Sequence, residues 1–227
     1  METTTISLIV PVRAEPELRA RLKNLKATLS VDEIIVVDTS MKPNENVDDL
    51  CDYLHDPSLR FRGEAMNRGA QRATSSILWF LHLDCVPPMR AEKDIDASLR
   101  RGGDGGIFLK RYEPSSPLLR IQAFALNALA RRTKRWVVGT NGFFVRKSLF
   151  DLEGGFPPWP FLEDLSFLRR IAANYDVRLI DRKITVSSRR YSTCFGLPRI
   201  LLNAAVLVLF ELGVPPDRLH RWYKVGS

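Results

Sequence analysis

The sequence is poor in cysteine and has no long uninterrupted hydrophobic run. Its three cysteines, Cys51, Cys85 and Cys194, are widely spaced and odd in number, which argues against a disulfide framework and a zinc site. The first residues lack the basic region, apolar stretch and cleavage site of a signal peptide. Residues 200–212 are the most apolar stretch near the C-terminus, but they include Glu211 and are too short to span a bilayer. We therefore expect a cytoplasmic protein.

Positive charge is in excess. The 227 residues include 34 lysines and arginines against 26 aspartates and glutamates, which gives a net charge of +8. This excess suits a nucleic acid, an anionic membrane surface or a phosphorylated small molecule. The basic residues form short clusters without interleaved aromatics, and no DNA-reading helix is recognisable, so a nucleic-acid partner is disfavoured. Solvated helix faces are an equally good interpretation of any one cluster.

The first forty residues have the pattern of a strand, a helix and a second strand. Residues 6–10 are a short apolar run that we expect Pro11 to end, residues 17–29 have leucines at helical spacing, and residues 33–37 form a second run that ends at Asp38. This order predicts a right-handed βαβ unit in a mostly parallel sheet. Ligands of such sheets bind beyond the carboxyl ends of the strands.

A third apolar run, residues 77–81, leads directly into His82-Leu83-Asp84. If the strand period continues, His82 and Asp84 face the same side and could approach one ion. Mg²⁺ or Mn²⁺ prefers oxygen ligands and keeps phosphates and water in its shell, so Asp84 with one polar neighbour suffices to hold it at a diphosphate. A histidine in the core and an aspartate in a cap are the simpler alternative for such a triplet.

The rest of the chain continues the α/β alternation. One domain, residues 1–194, is expected to carry the sheet, and residues 195–227 a helical tail. The tail could pack on the domain, which is the commoner outcome, or lie on the inner face of a membrane. Further helices are predicted at 47–54, 64–73, 91–101, 118–132, 163–174 and 200–212, and further strands at 105–112, 142–145, 177–180 and 184–188.

Glu163 and Asp164 are adjacent acids that follow a proline-rich loop and begin a predicted helix. A carboxylate at that position could take a proton from an acceptor hydroxyl, and the helix dipole would favour its ionised form. The alternative is that both residues only cap the helix. Consecutive residues at a helix start point about 100° apart, so at most one of the two can face a reacting carbon squarely.

Five segments, taken in order, resemble family 2 glycosyltransferases. They are Ser7-Leu-Ile-Val-Pro-Val-Arg-Ala-Glu15, Glu33-Ile-Ile-Val-Val-Asp38, Arg62-Gly-Glu-Ala-Met-Asn67-Arg-Gly-Ala70, Phe80-Leu-His-Leu-Asp84, and Gly155-Phe-Pro157 before Glu163-Asp164. The likeness is greatest to a small bacterial subgroup often found beside radical-SAM proteins. It extends to Ser188-Arg-Arg190 and Gly213-Val-Pro-Pro216.

The resemblance implies a GT-A fold, a Rossmann-like three-layer α/β architecture, and a metal-assisted, inverting transfer from a nucleotide sugar to an unknown acceptor. It implies that Asp84 binds Mg²⁺ or Mn²⁺, that Asp164 is the catalytic base and that Glu163 orients its surroundings. Pro11 would begin the nucleotide-binding loop, and Asp38 would contact the base or ribose. The residues implied on the nucleotide side are Pro11, Arg13, Glu15, Asp38, Arg62, Asn67 and His82.

Two departures and two alternatives accompany this interpretation. Thr140-Asn141 stands where the subgroup usually has Asp-Gln, and the loop after Asp38 lacks the usual glycine-serine continuation. A sugar nucleotidyltransferase would share the sheet, but the loop after the first strand contains no glycine to bind phosphate. A catalytically impaired nucleotide-binding or scaffold protein is the other alternative, although it would have no reason to keep Asp84 and Asp164.

Overall fold

The computed structural model describes residues 4–44, 46–133, 141–189 and 196–225. Thr140, Arg190 and Cys194 lie outside these ranges. Within them, strands and helices alternate along the chain. The strands are Ile6–Val12 (β1), Glu33–Asp38 (β2), Asp52–His55 (β3), Ile77–Phe80 (β4), Cys85–Val86 (β5), Gly105–Glu113 (β6), Phe144–Arg146 (β7) and Val177–Ser187 (β8). The helices are Leu18–Thr28 (α1), Arg62–Arg72 (α2), Ala91–Arg100 (α3), Pro117–Thr133 (α4), Lys147–Leu152 (α5), Glu163–Ala172 (α6), Gly196–Glu211 (α7) and Pro216–Val225 (α8).

The strands form one sheet in the order β3-β2-β1-β4-β7-β6-β8-β5. β1 is parallel to both β2 and β4, β2 is parallel to β3, and β6 is parallel to β8. Only the pairings of β7 and β5 are antiparallel. The carboxyl ends of β1, β2, β3 and β4 therefore lie at the same edge, which confirms the predicted mostly parallel sheet.

Helices cover both faces of this sheet. Because side chains alternate along a strand, Leu8 and Val10 of β1 pack on one face while Ile9 packs on the other. The first face is covered by apolar residues of α1, α3 and the first half of α4, and the second by those of α2, α5 and α6. This gives the three-layer α/β fold that the sequence predicts.

The first strand does not end at Pro11, as the sequence suggested. β1 continues to Val12, and Pro11 lies opposite Val37 of β2. Peptide groups of alternate residues point to opposite neighbours, so those of Ile9 and Pro11 point towards β4. β4 ends at Phe80, opposite Ile9, so no strand lies beside Pro11 on that side. The missing N–H of proline therefore costs the sheet no hydrogen bond.

Two predicted elements were wrong. Residues 47–54 do not form a helix: residues 48–50 are a turn, and Asp52–His55 is β3, which pairs with the outer edge of β2. That pairing outweighs a weak helical pattern. The predicted edge strands 177–180 and 184–188 are one strand, β8, which has a register shift and lies between β6 and β5.

The tail, residues 195–227, was predicted to be helical, and its described part forms two helices. α7 and α8 are separated by a turn in which Gly213 has a φ of 85°, a conformation that glycine adopts without strain. Val206 of α7 and Leu219 of α8 pack with Leu162 and Leu165 around the start of α6. In the described chain, no helix is both long enough and apolar enough to cross a membrane.

Candidate active site

Asp38 ends β2 and organises the loop that follows it. The residue has no exposed surface. Its Oδ1 accepts hydrogen bonds from the backbone N–H of Ser40 at 2.8 Å and from the Ser40 hydroxyl, and its Oδ2 accepts from Tyr53 Oη and Asn44 Nδ2, both at 2.6 Å. Burial raises the pKa of Asp38, but these hydrogen bonds outweigh it and the net pKa is lowered. That Asp38 contacts the base or ribose stays a prediction. For such a contact, Asp38 would have to exchange one of these hydrogen bonds for one from the ligand.

An open cleft of about 590 Å³ lies where the loops after β1 and β2 face each other. Arg13 is exposed at this cleft, and Glu15 is held by an ion pair with Arg21 at 3.5 Å. Arg21 also donates to the carbonyl of Leu83 at 3.0 Å, which ties this loop to the end of β4. The residues that line the cleft are Arg13, Ala14, Glu15, Pro16, Ser40, Met41, Lys42 and Asn44.

His82 and Asp84 lie in a turn and not in a strand. β4 ends at Phe80, and the carbonyl of His82 accepts a hydrogen bond from the backbone N–H of Cys85 at 3.0 Å. Ser187 N–H donates to the carbonyl of Asp84 at 3.0 Å, which fixes the turn against β8. The strand period therefore does not apply to these two residues, and their shared approach to one ion stays a prediction. Both side chains are partly exposed.

Arg62, the first residue of α2, joins the two acids at the start of α6. Its Nε donates to Glu163 Oε1 at 2.6 Å and its Nη2 to Asp164 Oδ2 at 3.1 Å. The acids are almost fully buried, whereas the arginine side chain keeps 40% exposure. Sequence reasoning assigned Arg62 to the nucleotide side only, because partners about 100 residues apart in sequence cannot be read from spacing.

Burial and neighbouring charges act in opposite directions on this cluster. Burial lowers the pKa of Arg62, but the charges of Glu163, Asp164 and Asp84 outweigh it and the pKa is raised. Burial raises the pKa of Glu163, and the negative charge of Asp164 adds to this, although Arg62 opposes it. Asp84, Arg62 and the acid pair therefore form one electrostatic unit. Glu163 Oε2 is buried and has no hydrogen-bond partner in the described residues.

Asn67 holds the loop that leads to α6. Its Nδ2 donates to the carbonyl of Phe156 at 2.9 Å, and its Oδ1 accepts from the Phe156 N–H at 2.9 Å. Gly155 has a φ of 69°, and a Cβ there would lie 2.7 Å from Asn67 Oδ1. Gly63 of α2 similarly leaves room for Glu163, whose Cγ would lie 3.0 Å from an added Cβ. Asn67 therefore positions the acid pair, and its predicted place on the nucleotide side stays a prediction.

β7 pairs only with the first two residues of β6, so the rest of that edge of β6 has no neighbouring strand. Two asparagine side chains form hydrogen bonds with the backbone there. Asn127 of α4 accepts from the N–H of Lys110 at 3.0 Å and donates to its carbonyl at 2.8 Å. Asn141 Nδ2 donates to the carbonyl of Phe108 at 2.7 Å. Asn141 is one of the two residues at which this sequence differs from the subgroup's usual Asp-Gln. It is buried against β6, and its Oδ1 has no hydrogen-bond partner in the described chain.

Lys110 is a site residue that the sequence analysis missed. It is 3% exposed and faces the same side of β6 as Phe108 and Tyr112. Burial lowers the pKa of Lys110 to about 8, and the nearby Cys85 and Asp164 act in the opposite direction. A lysine between two aromatics at the inward positions of a predicted strand was the signal that could have found it.

We expect Lys110→Met to stabilise the fold at pH 7. The unfolded chain holds the ammonium up to its ordinary pKa of 10.5, whereas the native state gives up that proton near pH 8. Below pH 8 the native state therefore bears the penalty of a buried charge, and the variant should gain about 2 kcal/mol in the free energy of unfolding. Urea titrations from pH 7 to 10 should show the gain shrinking as pH rises. A variant less stable than the wild type at pH 7 would contradict this.

The side chains at the β4 turn suit a divalent cation that shares its coordination with phosphate. Across the described residues, no three or more His, Cys, Asp or Glu side chains are grouped so that they could enclose a metal ion. Asp84 offers a partly exposed carboxylate, and His82 lies in the same turn. This donor set fits Mg²⁺ or Mn²⁺ bound through Asp84 with other ligands from a diphosphate and water, and does not fit an ion held by protein alone.

The chain is similar to known glycosyltransferases in sequence profile and in structure. Residues 7–146 match the profile of glycosyl transferase family 2. No curated protein sequence matches the chain. The structure is similar to the mannosyltransferase PcManGT from Pyrobaculum calidifontis in complex with GDP-Man and Mn²⁺, with a TM-score of 0.68, 16% identity, and coverage of 95% of this chain and 68% of that one.

Two other solved structures share the fold. Glucosyl-3-phosphoglycerate synthase from Mycobacterium tuberculosis, in complex with Mn²⁺, UDP and glucosyl-3-phosphoglycerate, has a TM-score of 0.62 and 16% identity, and the match covers 93% of this chain and 81% of that one. S. aureus TarS has a TM-score of 0.63 and 16% identity. The match covers 95% of this chain but only 41% of TarS. The chain belongs to glycosyl transferase family 2 and is a glycosyltransferase with the GT-A fold.

Proposed function

We propose that the chain transfers a sugar from a nucleotide-sugar donor to an acceptor hydroxyl, with inversion at the anomeric carbon. One observation carries this proposal: Arg62 joins the buried acid pair, and Asp84 contributes to the same electrostatic unit. The unit lies at the sheet edge where the cleft between the loops after β1 and β2 also opens. Such an arrangement can hold a diphosphate on one side and a general base on the other.

The donor side consists of the cleft and the β4 turn. Exposed Arg13 and the loop held by Asp38 would contact the nucleotide, and Asp84 with His82 would hold Mg²⁺ or Mn²⁺. When bound, the cation neutralises negative charge on the departing diphosphate. PcManGT was solved with GDP-Man and Mn²⁺, and the M. tuberculosis synthase with UDP and Mn²⁺, which supports a donor of this class.

On the acceptor side we assign the proton transfer to Asp164. The acceptor oxygen forms a bond to the anomeric carbon, the bond from that carbon to the diphosphate oxygen breaks, and the acceptor proton moves to Asp164. Attack opposite the leaving group inverts the anomeric configuration. Arg62 donates to the carboxylate of Asp164 at 3.1 Å, and Glu163 fixes the guanidinium through its 2.6 Å bond.

The proposal includes a subgroup and a domain division. Asp84 stands where the family's metal-binding Asp-x-Asp motif ends, and His82 replaces its first aspartate, as is usual in the radical-SAM-associated subgroup. This match supports assignment to that subgroup. We propose that residues 1–194 are the catalytic domain and residues 195–227 an appendage, because the hydrogen bonds and ion pairs of Arg62 involve no described residue of α7 or α8.

We predict that binding of a nucleoside diphosphate depends on a divalent cation and that Asp84→Ala removes this dependence. Calorimetric titration of UDP and GDP with Mn²⁺ and with EDTA should show affinity falling at least about tenfold in EDTA for the wild type, because one metal–phosphate link is worth more than 1.4 kcal/mol. The variant should bind equally weakly in both. Asp94→Ala, which removes an acid paired with Arg182 outside the site, is the matched control and should keep the dependence. Equal wild-type affinity in Mn²⁺ and EDTA would refute the role of Asp84.

A further inference from the structure

The tail hairpin, α7 and α8, exposes a row of apolar side chains. The row consists of Leu197, Leu201, Val208 and Leu212, which are 52%, 61%, 50% and 75% exposed. Their spacing of four, seven and four residues puts them on one face of a helix, and the exposed alanines 204 and 205 fill the interval. The opposite face of α7 is already packed, since Val206 lies in the cluster with α6 and α8.

The row is free of charge along its length. Between Arg199 and Glu211, α7 has no charged residue, and Glu211 is paired with Arg169 of α6. A helix in water normally turns charged side chains outward. An outward face made of apolar, uncharged side chains therefore indicates a surface that a partner protein or a lipid layer covers. α7 has 16 residues, too few to cross a bilayer, so it can only lie along one.

Basic and aromatic side chains accompany the row. Arg218, Arg221 and Trp222 are exposed and, at spacings of three and four residues, share one face of α8. Arg199 donates to Tyr223 Oη at 2.8 Å and its guanidinium lies 4.3 Å from the centre of that ring. This contact fixes the end of α8 against the first half of α7.

We propose that the tail hairpin is a docking surface for an anionic lipid bilayer. The row would enter the interface between headgroups and acyl chains, Trp222 would lie at headgroup level, and Arg218 and Arg221 would meet lipid phosphates. Residues 196–225 carry four basic and two acidic side chains, a net charge of +2, within a chain of net charge +8. That charge complements an anionic membrane, whereas a second copy of this chain would bring together two surfaces of the same sign.

Vesicle sedimentation of the full chain tests the proposal. The wild type should pellet with phosphatidylcholine vesicles that contain about 30% phosphatidylglycerol and much less with phosphatidylcholine alone, since each basic residue near the surface contributes about a fivefold preference. Leu201→Glu with Val208→Glu should lower the partition coefficient at least about tenfold. Leu152→Glu, a change at a 74% exposed leucine of α5 and so in neither tail helix, is the matched control and should bind like the wild type.

Two further measurements separate lipid binding from other causes. Arg218→Ala with Arg221→Ala should abolish the preference for anionic vesicles, and the milder Leu201→Ala with Val208→Ala replaces the glutamate variant if circular dichroism shows that the latter has lost helix. The proposal is overturned if the wild type stays in the supernatant with both vesicles, or if Leu152→Glu binds as weakly as the row variant. It is also overturned if, without lipid, sedimentation equilibrium shows a wild-type dimer that the row variant abolishes.

Discussion

Asp164→Asn should lower the turnover number by about 10²- to 10⁴-fold while leaving donor affinity nearly unchanged. The substituted amide keeps the size of the carboxylate and can still accept from either Arg62 Nη2 or the Leu165 N–H, though not from both. It cannot take a proton from the acceptor. Donor binding should survive because, in the proposed arrangement, this side chain faces the acceptor and not the diphosphate. The measurement is transfer kinetics with the nucleotide sugar that binds best, together with calorimetric titration of the nucleoside diphosphate.

Glu163→Gln is the matched comparison for that prediction. Glu163 has no exposed surface and already bonds Arg62 through Oε1, so glutamine can keep the contact, and we expect turnover within about tenfold of the wild type. If Glu163→Gln abolished turnover and Asp164→Asn did not, the two roles would have to be exchanged. If both variants stayed fully active, the base would be another residue.

Removing the charge of Arg62 should strongly destabilise the fold. Arg62→Met would leave two buried carboxylates next to each other without their shared cation, and breaking a buried ion pair in this way costs about 3–5 kcal/mol. The 40% exposure of the arginine side chain lowers the expected loss to about 3 kcal/mol. Urea unfolding at pH 7 measures it. Arg72→Met, which removes an exposed ion pair with Asp52 from the same helix, is the control and should lose less than about 1 kcal/mol.

The pH dependence of Arg62→Met distinguishes this charge effect from lost packing. Without Arg62, the pKa of Glu163 should rise further above its ordinary value of 4.5, since burial and Asp164 already raise it. The native state then holds a proton that the unfolded chain releases, so the stability of the variant should increase as pH falls towards 4.5. Adding Glu163→Gln should restore much of the loss at pH 7. A deficit that stayed constant with pH and was not reduced by Glu163→Gln would show that packing is responsible.

Local sequence patterns predicted the buried strands of the sheet and the helices that cover its two faces. β1, β2 and β4 are short β-branched or aromatic runs, and α1, α2 and α3 have apolar residues at helical spacing. β3 was missed because Asp52–His55 is polar and only half buried, so it becomes a strand through pairing with β2. The turn at Gly213, which separates α8 from α7, was missed because α8 has little apolar surface of its own and folds against α7.

The sequence by itself determined the fold class, the family and the candidate chemistry, because these depend on short segments whose order and spacing are local properties. It placed Asp84 after the central strand and the acid pair at the start of a helix. Only the tertiary structure decided that Arg62 bonds both acids and that Lys110 is buried near Asp164. It also decided that both oxygens of Asp38 accept hydrogen bonds from its own loop and from Tyr53 of β3. These contacts depend on the register of the sheet and on how the helices pack against it. The burial of a side chain and the charges around it are set only when segments distant in sequence come together.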